Sequence, residues 1–267
     1  MRYRIDLAYH GAGFHGWQRQ PHLRTVQGEL ELWLARLLAS AQRIAITGAG
    51  RTDAGVHATG MVAHFDTDLI FDCDQLSTRL HAALPPDLVV NRISPAGHDF
   101  HARYSAIART YEYWFTNRRA PFGRDRVWFV PGPLDPTTLG NAATAVIGPH
   151  DFSGFCIAAS RKEHGTCHIT HSEWRSHGDL LTYRVRADRF LHMMVRLLVG
   201  TMVDVGRGRW SPDRVREILD AGDVRLCGGA APAHGLTLVA VEYPGSSGGN
   251  PISIEIPQPG PFLGDAQ

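Results

Sequence analysis

The chain has little cysteine, almost no lysine and no long apolar run. Its four cysteines, Cys73, Cys156, Cys167 and Cys227, stand far apart with no C-x-x-C pair among 267 residues. That spacing indicates neither a disulfide framework nor a zinc knuckle. No stretch approaches the roughly 20 apolar residues of a membrane helix, and Met1-Arg2-Tyr3-Arg4-Ile5-Asp6 reads as strand, not as a signal peptide. These absences predict a soluble, cytoplasmic protein with no membrane partner. An excess of one charge sign is missing too, since the net charge is only +1. The balance hides a skew, because 26 of the 27 basic residues are arginine. Genomic base composition explains such a skew without function. Even so, arginines gather at 118, 119, 124 and 126, at 184, 186 and 189, and at 207, 209, 214 and 216. Local clusters of this kind can contact phosphates while acids elsewhere cancel the total.

Periodicity predicts an α+β chain. Arg2–Tyr9 alternates as a strand, with Tyr3, Ile5 and Leu7 on one face. Thr25 caps a helix whose apolar stripe runs through Val26, Leu30, Trp33, Leu34, Leu37 and Leu38. Strands follow at 43–47 and 61–66. A helix begins at Asp72 or Asp74 and stops at Pro85-Pro86. A strand at 87–93 closes a β-α-β-β-α-β set. The second half repeats the order. It has a strand at 108–115, a helix opened by Asp135-Pro136, strands at 167–175 and 180–187, an apolar helix at 190–205, and a final strand at 236–243. One extra helix runs over 211–221, with Ser211 as cap and Pro212 at its first position. Two tandem ferredoxin-like (split β-α-β) units with largely antiparallel sheets and a cleft between them are the expected fold. Residues 1–104 form the first domain, 105–244 the second, and 245–267, rich in Gly, Ser and Pro, a flexible tail.

The chain is organised around Gly48-Ala49-Gly50-Arg51-Thr52-Asp53-Ala54-Gly55-Val56-His57-Ala58-Thr59-Gly60. Four glycines and almost nothing apolar make it a tight connection rather than core. Asp53 is its one acid, with small neighbours that leave room for a substrate. A backbone cap is the plain alternative. Arg196 is the second oddity, an arginine inside Phe190–Met202, which is apolar on nearly every side. Burying it is costly unless it meets an acid or a phosphate, and Asp53 needs a cation to stay ionised in a closed pocket. An Asp53–Arg196 pair answers both needs; an ordinary exposed arginine on the helix's one wet face is the plain alternative. Tyr111 shares a strand face with Tyr113 and Phe115, either as core or as a ring for stacking an unstacked base. His57 either contacts RNA or caps the turn. Two other patterns lead nowhere. Gly11-Ala12-Gly13-Phe14-His15-Gly16 matches a dinucleotide fingerprint, but Pro21 blocks the helix that would have to start there. His164, Cys167, His168 and His171 do not converge, because neighbours on a strand face opposite ways, so no metal site is expected.

The string Gly50-Arg51-Thr52-Asp53-Ala54-Gly55-Val56-His57-Ala58 resembles the signature loop of the tRNA pseudouridine synthase A family. The likeness extends to Tyr9-His10-Gly11, Gly16-Trp17-Gln18-Arg19-Gln20 and Thr25–Glu31. It continues at Phe100–Ala106, Arg109–Tyr113, Phe190–Arg196 and Ala231–Leu236, covering the chain to about Pro244. The resemblance implies that Asp53 is the catalytic nucleophile, that Tyr111 stacks on the target uracil, that Arg196 pairs with Asp53, and that Arg51 engages RNA near the flipped nucleotide. It implies a homodimer with tRNA lying across both subunits. The targets would be uridines at positions 38, 39 and 40, in the anticodon stem-loop. Leu197 departs from the family, which usually carries asparagine there. Uridine isomerisation exchanges neither electrons nor phosphoryl groups, so no cofactor is expected. An RNA-binding module without turnover and a nucleotide-dependent oxidoreductase are the rival readings.

Overall fold

The computed structural model describes residues 1–157 and 165–245. Strand β1 (Arg2–Tyr9) buries Tyr3, Ile5, Leu7 and Tyr9 in alternation, as a strand with one face on a core must. The Thr25 hydroxyl accepts the Gly28 amide at 3.3 Å to start α1 (Val26–Leu37). Asp72 accepts the Gln75 amide at 2.7 Å to start α2 (Cys73–Ala83). Leu30 and Leu34 of α1 and Leu76 and Leu80 of α2 close over β1, β3 (His57–Asp66) and β4 (Leu88–Ala96). Each such leucine stabilises the fold by about 2 kcal/mol through desolvation. Between α1 and β3 lies the short β2 (Ile46–Gly48).

The second half comprises β5 (Ala108–Thr116), β6 (Trp128–Phe129), α3 (Pro136–Thr144), β7 (Gly148–Asp151), β8 (Thr166–His177), β9 (Leu180–Ala187), α4 (Met194–Gly206), α5 (Arg214–Ala221) and β10 (Leu236–Glu242). Its core gathers Tyr113, Phe115, Phe152, Phe155 and Tyr183 against α4. Nearly every residue of α4 is buried, which is what its all-round apolar sequence demands. Asp135 caps α3 with Pro136 in the first turn, as its sequence predicts.

Four details differ from the sequence reading. Helix α4 starts at Met194, not at Phe190, because Met193 adopts φ +65°, a left-handed conformation no helix can contain. Helix α5 starts at Arg214, since Ser211 spends its hydroxyl on the Asp213 amide in a preceding turn. Strands β6 and β7 are additional. Finally, the strands form one continuous sheet rather than two, in the order β4-β1-β3-β10-β5-β9-β8-β7, with β2 on β3 and β6 on β5. Pairing is antiparallel except for β10 with β3 and β6 with β5. The result is a mixed α+β chain with a large, mostly antiparallel sheet.

The parallel seam positions the site. Strand β1 runs along one edge of β3 from Asp66 to Ala58. On the other edge, β2 pairs from Phe65 to Ala63, and β10 pairs at His57 and Ala58. Gly60 lies between them, where a Cβ would meet the Val239 carbonyl oxygen at 2.2 Å. Only glycine permits that close a crossing. Residues 49–56 leave the sheet where β2 ends and return where β10 takes over.

Candidate active site

Backbone contacts hold this loop on both sides. The Ala49 amide donates to Val62 at 2.8 Å, Trp17 donates to the Thr52 carbonyl at 3.0 Å, and Gly55 donates to Phe14 at 3.3 Å. The Tyr9 and Thr52 hydroxyls meet at 2.8 Å in the interior. Gly55, at φ +80°, closes the turn in which the Val56 amide reaches the Asp53 carbonyl at 3.1 Å. The fingerprint-like glycines press against the loop from behind. A Cβ on Gly11 would lie 2.1 Å from the Val56 oxygen, and one on Gly16 would lie 2.8 Å from the Thr52 oxygen. Gly11–Gly13 form a short 3-10 turn, and no helix opens there. These glycines serve backbone packing, not a dinucleotide.

The clamp presents the Asp53 carboxylate to an arginine and a histidine. Its Oδ2 lies 3.4 Å from Arg196 Nη1, and its Oδ1 lies 3.4 Å from His192 Nε2. Arg196 is not on a wet face, for its side chain is only 17% exposed. Its Nε donates to the Ala231 carbonyl at 2.7 Å, and its own carbonyl accepts the Ala231 amide at 2.9 Å. The guanidinium is therefore held by backbone, while its contact to Asp53 is long for a charge-assisted bond. A carboxylate held this loosely keeps lone pairs for a substrate. Sequence reasoning gave His192 no role. The i,i+4 spacing of His192 and Arg196 puts both on one face of the helix expected over 190–205, a signal that could have found His192. The left-handed Met193 nevertheless leaves His192 outside α4.

Tyr111 lies between the two halves. Its backbone pairs with Leu238 of β10 and Val185 of β9. Its half-buried side chain packs against both cores, with the ring edge-on to Phe190 at 5.2 Å. Burial first, and then the charge of Asp53, pushes its hydroxyl pKa up to about 12. At neutral pH it is a neutral phenol beside the carboxylate. Arg51 is exposed and makes no hydrogen bond or ion pair among the described residues.

His57 requires a correction. It is buried, its Nδ1 accepts the Gly11 amide at 2.9 Å, and its Nε2 faces the carbonyls of Asp125 and His234 at 2.9 and 3.0 Å. Both nitrogens are spent inside the protein, so the ring holds the loop and has no free nitrogen to offer an outside ligand. Burial, and then the neighbouring His10, lowers its pKa to about 4, which keeps it neutral.

Arg109, two residues before Tyr111 on the same strand face, is a support that sequence reasoning overlooked. Its Nη1 donates to Ala106 at 3.1 Å and Asp188 at 2.7 Å, and its Nη2 donates to Ala49 at 3.1 Å and Arg103 at 2.6 Å. Cys167 is buried and His168 exposed, facing opposite ways. His164 lies outside the described residues, and among those described no three His, Cys, Asp or Glu side chains converge.

An accessible carboxylate beside a backbone-held arginine and a neutral tyrosine has the groups that nucleophilic or general-base catalysis uses. Comparisons make this chemistry specific. A family described as tRNA pseudouridine synthase matches residues 7–105 and 142–244. Asp53, Arg51, His57, His192 and Arg196 fall inside those blocks, while Arg109 and Tyr111 lie between them. The chain is 42% identical over 248 residues to tRNA pseudouridine synthase A of Parabacteroides distasonis, covering 91% of this chain and 96% of that one. Against its namesake from Cereibacter sphaeroides it is 44% identical over 250 residues, covering 91% and 96%. Against that of Bacillus subtilis it is 40% identical over 245 residues, covering 91% and 99%. The chain belongs to the tRNA pseudouridine synthase A family and is an isomerase.

Proposed function

We propose that this enzyme converts uridine to pseudouridine in the anticodon stem-loop of tRNA, with Asp53 as nucleophile. In that reaction the C1′–N1 bond breaks, a C1′–C5 bond forms, C5 gives up a proton and N1 gains one. Nothing is oxidised and no group is transferred to another molecule, so turnover needs neither NAD(P)H nor ATP. Arg196 pairs with one oxygen of the Asp53 carboxylate, and His192 faces the other. Tyr111, a neutral phenol, offers its ring to the uracil. Leaving the stack costs the base roughly a few kcal/mol, and stacking on Tyr111 with Arg51 on RNA offsets that cost. His57, lying inside, acts on the substrate only through the loop it holds.

The single observation that carries this reading is Asp53, held open between Arg196 and His192 at the seam of the two halves. Each half reads as a split β-α-β unit. The strand neighbours β4-β1-β3-β2 and β10-β5-β9-β8 support this, because both follow the order fourth, first, third, second. Residues 1–104 and 105–244 are the corresponding domains. From residue 246 onward the expected tail lies outside the described residues. The enzyme works in the cytoplasm as a homodimer that tRNA spans; sedimentation gives the subunit number. Among the described residues no helix is long and apolar enough to cross a membrane.

The test compares wild type with Asp53→Asn on an unmodified tRNA transcript, mapping pseudouridine by chemical labelling and primer extension. Signal in the anticodon arm with wild type alone is expected. Equal activity of the mutant would remove Asp53 from its role. Binding without turnover by both proteins would leave an RNA-binding module.

A further inference from the structure

The segment His101–Ser105 spends its internal bonding on displaying two side chains outward. The His101 amide donates to Ser105 Oγ at 2.9 Å, and the Ser105 amide returns to the His101 carbonyl at 2.9 Å. The Arg103 and Tyr104 amides both reach His101 Nδ1 at 3.2 Å. The Ala102 amide donates to Nδ1 of the buried His64 at 3.1 Å, and the Ala102 carbonyl accepts the Tyr243 hydroxyl at 2.6 Å. Arg109 holds the Arg103 carbonyl. On this turn Tyr104 is 77% exposed. His101 backs its ring at 4.4 Å between centroids, and the Arg103 guanidinium lies 5.6 Å from it. Arg103 is exposed and forms no ion pair among the described residues. Arg2, Arg24 and Arg186, by contrast, each grip a carboxylate with two nitrogens.

We propose that this turn is an RNA platform, on which Tyr104 stacks an unpaired base of the substrate while Arg103 meets a neighbouring phosphate. The proposal rests on the tRNA-modifying reading above. A rigid exposed ring beside an unspent arginine matches the chemistry of single-stranded RNA, whose bases stack on aromatics and whose backbone seeks cations. Ordering the ring in advance removes an entropy cost from binding. The location matches as well. Nη2 of Arg109 that holds Arg103 also holds Ala49, two residues before Arg51 in the site loop. The platform and the Asp53 loop share one support, so RNA bound at the first lies beside the second.

Affinity for an unmodified tRNA transcript tests this, by fluorescence anisotropy on wild type, Tyr104→Ala, Tyr104→Trp, Arg103→Met and Ile70→Ala, the last an exposed apolar control. Tyr104→Ala raises Kd about tenfold, Tyr104→Trp restores binding, and Ile70→Ala changes nothing. Arg103→Met lowers the slope of log Kd against log salt by about one. Unchanged affinity of Tyr104→Ala overturns the proposal. So does loss of affinity that tracks loss of dimer by sedimentation, which makes the turn a contact between copies. The two readings fail separately: wild type that binds through Tyr104 yet makes no pseudouridine sinks the catalytic reading alone. Wild type that makes it while Tyr104→Ala binds normally sinks the platform alone.

Discussion

Replacing Arg109 by methionine keeps the aliphatic stem and deletes five donors. The guanidinium serves four backbone carbonyls and no carboxylate, and burial lowers its pKa. The Asp188 and Arg103 carbonyls lie where water can replace the lost donor. Those of Ala106 and Ala49 are partly buried, so their loss is not fully made good. Hydrogen bonds to charged groups contribute about 1.5–3 kcal/mol each. Two uncompensated acceptors therefore set the destabilisation at about 3 kcal/mol, a large share of a typical 5–15 kcal/mol fold. With a urea dependence of about 3 kcal/mol per molar, the unfolding midpoint falls by about 1 M, read by tryptophan fluorescence and circular dichroism together. Arg109→Lys falls about half as far, because one ammonium cannot replace a fork whose two ends serve different carbonyl pairs. A midpoint shift below about 0.3 M for methionine, or lysine equal to arginine, refutes the reasoning, since urea titrations resolve midpoint differences of that size.

Stability depends on pH through His57 and His64, both buried and both lowered to about 4, burial being the first cause in each. The unfolded chain protonates them near pH 6.5, so it binds more protons than the native state between about pH 4 and 6.5. Their contribution is complete above that window and is lost as pH falls through it, by at most about 3 kcal/mol each. A thermal midpoint that stays flat from pH 7.5 to 5 contradicts this, and His64→Gln flattens the slope. Gly11→Ala drives a methyl into the Val56 carbonyl, 2.1 Å from the ideal Cβ. It destabilises by about 1–3 kcal/mol and slows single-turnover isomerisation more than that loss of folded protein explains. An unchanged rate means that Gly11 does not position the Asp53 loop.

Local features were the most legible in the sequence. Caps at Thr25, Asp72 and Asp135 appear where their side chains predict, because each satisfies amides a few residues away. The alternation of β1 and the odd placement of Arg196 were legible too, since period and composition are local. His57 was ambiguous because a histidine can turn inward or outward without altering any pattern. Arg109 falls on the face of Tyr111 by simple alternation, yet a face does not name a partner, and its four acceptors come from three separate segments. The αL bend at Met193 broke the helix that the apolar run suggested, and with it the expected start of α4.

Least legible was the seam. Strands β3 and β10 pair at only two registered positions, far apart in the chain, and no local signal marks them except a glycine at 60 that could equally be a bulge. Yet this pairing assembles the candidate site. Asp53 belongs to the half before the seam, and Tyr111, His192 and Arg196 to the half after it. Arg196 and Asp53 lie 143 residues apart in sequence. Neither half alone contains the carboxylate with its cation. Because β2 and β10 divide one edge of β3, the loop that must leave the sheet does so where the second half arrives. The signature residues are local, but the geometry that makes them a site follows from how two distant edges close.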